Sequence, residues 1–582
     1  MSGITGVLAF NLVGKFSKIN VSNSTISLAT RFKEAQDIYV DEWVCLGQRL
    51  SLEQNSSDFL PLPYWDENNR YAIVFEGEIF NSGELIEIIR QQGQQLLNQS
   101  DAEVILKLFI SRKNEFLSLI QGAFAFCIYD KIDQSFFLAC DSQGLKTIYY
   151  LFDEDKFLFG SSFRATIEYG ISKEIDPLAL SAFLHKIPTP STHTFFNNIK
   201  KLQAGHCLKI STQKIENEKF VTTTALNLTE VAKDESSVTV KFNNLLLRSL
   251  ESRLNKSKPP IIYLDGHINS PLLLSLVRNF NLKFKTFSVY VNGYTPNKIR
   301  RDIQGLVRDF NLEHSEIRIE KREAKRLVND LFEQSAEPVE FASTVLIYMA
   351  QHGISTDIGS IIVGSNAIDL FRHSGKPETT AFSWSRINPI FNAKTEVRKI
   401  ITRLDSYKAS KNKIMSQPLD RKWLKNLYSE DYRDKIFYRE FENDLPKKEI
   451  GFQYFDSLNI PNLLPVQFPF LDPDLVNFVG SVESDPARRK ILQNLVSSNL
   501  KSFVNSIINP EFNLSTKYFI KRLITRDLRH EFLSKDFIKD QGIFNYGEIK
   551  KLRWLNSIGY KNTSFSLPNL LFFQWWWKKW TK

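Results

Sequence analysis

Ile261-Ile262-Tyr263-Leu264-Asp265-Gly266-His267-Ile268-Asn269-Ser270-Pro271-Leu272-Leu273-Leu274 is an apolar run, a turn holding a glycine, and a second apolar run. The first run predicts a buried strand and the second the start of a helix. In a parallel α/β sheet this junction is where backbone N–H groups and the helix dipole meet a phosphate, so it is the natural place for a nucleotide. The turn carries neither the Walker nor the dinucleotide-binding glycine fingerprint. Outward from it, residues 284–289 predict the next parallel strand and residues 302–310 a helix. Ser360-Ile361-Ile362-Val363 predicts a further strand, entering Gly364.

Composition bounds the rest. With 582 residues, 42% hydrophobic and 24% charged, the chain is an ordinary globular sequence too long for one core, and two or three domains are expected. Its net charge of +10, from 75 basic against 65 acidic residues, is spread along the sequence. That spread predicts a mildly basic solvated surface and no nucleic-acid partner. Cys45, Cys127, Cys140 and Cys207 lie far apart without C-x-x-C spacing. A reducing, cytoplasmic setting follows, with no disulfide framework, zinc site or metal cluster. No run is long enough to span a membrane, so a soluble protein without a membrane partner is expected.

The first third supplies motifs. Met1-Ser2-Gly3-Ile4 opens directly on an apolar strand, and Ser2 is a candidate N-terminal nucleophile whose own amine would serve as base, against the plainer reading of a buried first strand. Residues 72–75 read as a strand leading into Glu76-Gly77-Glu78-Ile79-Phe80-Asn81. Ser100-Asp101-Ala102-Glu103, Gly122-Ala123-Phe124-Ala125-Phe126, and Asp141-Ser142-Gln143-Gly144-Leu145-Lys146 with Tyr149-Tyr150 follow. In this order they resemble the N-G-E-I-Y-N, S-D-x-E, G-x-F-A-F and D-x-x-G-x-K-P-L-Y-Y motifs of the glutaminase domain of asparagine synthetases. Residues 188–206 resemble the segment that closes that domain.

That resemblance implies roles. Arg49, Glu78 and Asp101 stand where the family grips the carboxylate and amine of glutamine. Ser2 replaces the nucleophilic cysteine and is the poorer nucleophile near neutral pH. Glu76, beside Gly77, replaces the asparagine that donates to the oxyanion, and its charge would repel that oxyanion. Glutamine hydrolysis is therefore not expected, although the pocket could still hold an amino acid.

The resemblance continues through the second part. The opening loop stands where the family has S-G-G-x-D-S, matching at Gly266 and Ser270. Asp265 would repel pyrophosphate there, His267 replaces a glycine that allows close approach, and Asn269 replaces an aspartate. Residues 311–317 resemble a segment before a third strand, with His314 read as a turn residue. Glu337-Pro338 stands at D-E-P, with Ala336 in place of the aspartate. Gly364-Ser365-Asn366-Ala367-Ile368-Asp369 resembles S-G-D-G-A-D-E, with Ser365 and Ile368 replacing both aspartates; residues 469–476 resemble P-F-L-D-x-x-L-V. ATP and magnesium are the cofactors implied, with no flavin or NAD. Magnesium wants carboxylate oxygens, isoleucine supplies none, and Asp265 and Asp369 are the acids left nearby, in shifted places.

The expected fold is a multi-domain α/β chain: an αββα N-terminal-nucleophile sandwich at 1–210, a polar linker at 211–237, and a parallel-sheet, adenine nucleotide α-hydrolase-like domain with a helical extension at 238–582. Two functions compete. One is a family member with both active sites degenerate, serving as scaffold, partner subunit or ligand binder, as a homodimer or with a protein partner. The other is an ATP-dependent amide ligase acting on a small-molecule or peptide carboxylate without glutamine hydrolysis, as in relatives that cyclise lactams and lasso peptides. In the last stretch, Leu570, Phe573, Trp577 and Trp580 share one helical face, which predicts packing on the core, with an exposed partner patch as the alternative.

Overall fold

The computed structural model describes residues 3–28, 34–51, 62–176, 192–212, 214–220, 235–254, 259–265, 284–293, 297–338, 342–355, 357–364, 463–481, 530–544 and 567–581, with isolated residues between these segments. The first part is a sandwich of antiparallel sheets. One sheet has the order β10-β8-β9-β1-β3-β2, built from β1 (Gly3–Ala9), β2 (Glu34–Val40), β3 (Val44–Ser51), β8 (Tyr149–Phe152), β9 (Lys156–Gly160) and β10 (Lys200–Lys201). The other has the order β12-β11-β7-β6-β5-β4, from β4 (Tyr64–Trp65), β5 (Tyr71–Ile79), β6 (Gly122–Asp130), β7 (Ser135–Cys140), β11 (His206–Ser211) and β12 (Lys214–Lys219).

Side-chain alternation explains the layering. On β5, Ala72 and Val74 face the core between the sheets, while Tyr71, Ile73 and Phe75 face outward. Beyond that outer face pack α2 (Ser82–Gln91) and α3 (Asp101–Arg112). α1 (Lys18–Ser27) and α4 (Phe163–Ile167) cover the other sheet, completing four αββα layers. Because both faces of β5 and β6 are covered, these strands read as near-continuous apolar runs.

The second part follows α5 (Glu235–Leu254). Its sheet has the order β15-β14-β13-β16-β17, every pair parallel, from β13 (Ile261–Tyr263), β14 (Lys285–Val291), β15 (Glu313–Ile319), β16 (Ile361–Val363) and β17 (Val466–Gln467). Between strands run α6 (Asn297–Asp309), α7 (Lys321–Gln334) and α8 (Ala342–Gln351); α9 (Pro473–Ser481), α10 (Lys535–Gln541) and α11 (Leu567–Trp580) follow. Ile262 and Ile362 enter a core with α5 and α9, whereas Ile261, Tyr263 and Ile361 enter one with α7, α8 and α11. Both faces of the sheet are thus covered, as a parallel sheet requires. The α/β class and the parallel strand at 261–263 are as the sequence predicts.

His314 is a correction. It lies within β15, and its ring nitrogens meet the hydroxyls of Thr286 and Ser288 on β14, each at 2.9 Å. Serine and threonine facing a histidine across parallel strands satisfy the ring inside the sheet, which a turn position would not require. The tryptophan-rich helix is packed: Leu570, Phe573 and Trp580 are buried as expected, Trp577 is only partly buried, and the unexpected Trp576 is buried against Phe195 and Phe196 at centroid distances of 5.4 and 5.3 Å.

Candidate functional sites

The first site gathers at the end of β5. Alternation along the strand puts Glu76 on the same inter-sheet face as Ala72 and Val74. Its carboxylate lies 3.3 Å from Lys146 Nζ, with side chains 11% and 12% exposed respectively. Lys146 is delivered by a turn built on Asp141. The Asp141 carboxylate is fully buried and accepts the N–H groups of Gln143, Leu145 and Lys146 at 2.8–2.9 Å. Burial pushes that carboxyl up to about 6 despite those donors. The motif containing Lys146 is legible in sequence, but its pairing with Glu76 is not.

Gly77 holds φ +128°, and a Cβ there would lie 2.0 Å from the Ala123 carbonyl. No other residue fits without moving β6. Asp101, the first residue of α3 after its Ser100 cap, accepts the Ile79 N–H at 3.0 Å. Burial raises its pKa, opposed by that N–H and by the Ser82 hydroxyl. Asp101 is thereby tied to the strand end that carries Glu78. Arg49 sits on β3 opposite Gly3; its Nη1 donates to the carbonyls of Ile26 and Leu28 where α1 ends, the latter at 2.7 Å. Ser2 lies outside the described residues. Glu103, unassigned in the sequence, is a buried loop anchor: its carboxylate accepts the N–H groups of Leu97, Asn98 and Gln99 at 2.6–2.9 Å.

The second site follows from strand order. Chain order reverses between β13 and β16, which are direct neighbours with Tyr263 opposite Val363. Ligands of open α/β sheets bind outside the carboxyl ends of the strands at such a switch point. Asp265 and Gly364 leave the sheet side by side there. The Ser270 hydroxyl donates to Asp265 Oδ1 at 2.5 Å, so the loop's acid and its matched serine are held together. Gly266, His267, Asn269, Ser365, Ile368 and Asp369 lie outside the described residues. Among the described residues no group of three or more His, Cys, Asp or Glu could hold a metal. Asp265, which accepts the Ser270 hydroxyl, is the carboxylate that the described residues place there, and magnesium bound with ATP is usually held by one or two carboxylates together with the phosphates. No helix among the described residues is long and apolar enough to cross a membrane.

A family model described as a glutamine amidotransferase domain matches residues 1–221, and one described as asparagine synthase matches residues 241–546, over half of the 582-residue chain. Asparagine synthetase [glutamine-hydrolyzing] 1 of Bacillus subtilis (strain 168) is 30% identical over 44% of this chain and 40% of its own length. Asparagine synthetase [glutamine-hydrolyzing] 3 of the same organism is 26% identical over 47% of this chain and 45% of its own. The chain thus spans less than half the length of these two relatives. Among solved structures, glutamine phosphoribosylpyrophosphate amidotransferase from B. subtilis, complexed with ADP and GMP, aligns with a TM-score of 0.28 and 13% identity over 54% of this chain and 81% of that one.

Proposed function

The chain belongs to the asparagine synthase family, and on that premise we propose that it keeps the family's fold without its two reactions, serving as a scaffold, partner subunit or ligand-binding protein in a biosynthetic pathway. The observation that carries this reading is the Glu76–Lys146 pair. Where glutamine-hydrolysing relatives have a neutral donor, this chain has a carboxylate held by a lysine and largely removed from water. Such a group accepts hydrogen bonds and donates none to a developing oxyanion; losing one oxyanion donor costs about a hundredfold in rate or more. The serine at position 2, where those relatives have a cysteine, supports the same reading.

At the second site the support is chemical: Asn269 and Ile368 supply no carboxylate, and Asp265 is tied to Ser270. The same reading divides the chain into a first domain, a linker and a synthase-like second domain. We place the first domain's end after β12, at Lys219, beyond the residue 210 that the polar composition suggests. A cytoplasmic homodimer, or a complex with a protein partner, fits this role. Ammonia release from glutamine by the purified protein tests it. None above background is expected, and serine-dependent release abolished by Ser2→Ala would contradict it.

A specific observation favours a second reading, an ATP-dependent amide ligase acting on a small-molecule or peptide carboxylate. Asp265, Ser270 and Gly364 remain at the switch point, where loop amides survive any change of side chain. Under the first reading, magnesium-dependent ATP affinity is weak, and Asn269→Asp with Ile368→Asp strengthens it. Calorimetry with and without magnesium separates the two: tight magnesium-dependent binding by the unaltered chain belongs to the ligase.

A further inference from the structure

The turn Ser335-Ala336-Glu337, between α7 and α8, is gripped by elements far apart in sequence. Trp580 Nε1 donates to the Ser335 carbonyl at 3.0 Å, and Trp576 Nε1 to the Ala336 carbonyl at 2.7 Å, both from α11. The Glu337 carboxylate accepts the Tyr149 hydroxyl at 2.6 Å and lies 3.3 Å from Lys201 Nζ. Tyr149 and Lys201 sit on β8 and β10 of the first domain. Lys201 also lies 5.2 Å from the Tyr149 ring centroid, so one cation serves the ring and the carboxylate. Glu337 and Lys201 are only 12% and 15% exposed, and buried charge is tolerated only when paired.

The two grips are joined. Trp576, which holds Ala336, also packs on Phe195 and Phe196 of the first domain. Asn569 Nδ2 at the start of α11 donates to the Phe183 carbonyl at 2.7 Å. A turn whose carbonyls and carboxylate are buried needs its donors supplied, and here they come from β8, β10 and α11.

We propose that the first domain and the tryptophan helix together form a clamp on residues 335–337, and that the first domain's contribution to this chain is to order the α7–α8 layer covering one face of the parallel sheet. This role does not depend on whether ATP is turned over. It also accounts for the cluster of tryptophans, which the expected chemistry leaves unused.

Apolar packing alone could hold the turn, since one continuous core spans both domains. Tyr149→Phe/Lys201→Met, which deletes polar atoms and keeps the apolar bulk, decides between these, and Trp576→Phe tests the indole donor together with part of its packing on Phe195 and Phe196. Hydrogen exchange read by mass spectrometry on the full chain compares wild type with Tyr149→Phe/Lys201→Met and with Trp576→Phe. Exchange of residues 335–337 and α8 is expected to rise about tenfold or more in each variant, while β6 and β7 keep their protection. Unchanged exchange at 335–337 and α8 overturns the proposal, and so does a rise spread equally through both domains. Should either variant fail to fold, Tyr149→Phe alone, which removes one oxygen, is read in the same way and decides between the same two outcomes.

Discussion

Glu76 and Lys146 lie 3.3 Å apart although 70 positions separate them in sequence, and no periodicity connects them. Their motifs are recognisable one by one; their pairing needs the Asp141 turn and the β5–β6 register. Removing one member of a pair this buried costs about 3 kcal/mol, whereas removing both costs less. Lys146→Met should therefore destabilise the protein strongly, and Glu76→Asn combined with Lys146→Met should recover much of the loss. Urea unfolding of the two single variants and the double variant measures the coupling, and additive losses would show that the pair does not interact. Gly77 is legible because its conformation belongs to glycine. Gly77→Ala meets the Ala123 carbonyl and should cost about 2 kcal/mol or more, read as a lowered melting temperature.

The turn on Asp141 shows what an element can and cannot disclose in sequence. Asp141 is legible as the start of a recognisable motif, but its burial, and hence its titration, comes from the sheets packed around it. The folded state raises the carboxyl from the usual 3.8 to about 6. The fold therefore favours the protonated form. Its stabilising contribution is full below 3.8 and is lost as pH rises through about 6, a difference on the order of 3 kcal/mol. Asp141→Asn should flatten the pH dependence of stability between about pH 4 and 7. Unfolding free energies at both ends of that range check this, and an unchanged slope would mean that Asp141 does not titrate there. The place of His314 is hidden in the sequence for a related reason: its partners Thr286 and Ser288 are on the neighbouring strand, and only the sheet register brings them to the ring. The face of α11 is legible from helical spacing at Leu570, Phe573 and Trp580, but the burial of Trp576 and the carbonyls served, at Ser335 and Ala336, are not.

At the scale of the molecule, the class of each domain can be read from ordered motifs and strand patterns, because local apolar runs set the layers. The strand order, and with it the switch point beside Asp265 and Gly364, depends on pairings between distant segments. So does the domain interface, where Tyr149, Phe195 and Phe196 share one core with Tyr263, Ala336 and Trp576. A shared apolar core of that kind should make the two domains unfold together. Scanning calorimetry is expected to show one transition, and two separate ones would refute the shared core. We propose that the family's fold persists here without its chemistry, and the decisive measurement is pyrophosphate release from ATP with magnesium and a panel of amino-acid and peptide carboxylates. Release at background level is the expected result; substrate-dependent release by the unaltered chain would contradict it and identify a working ligase.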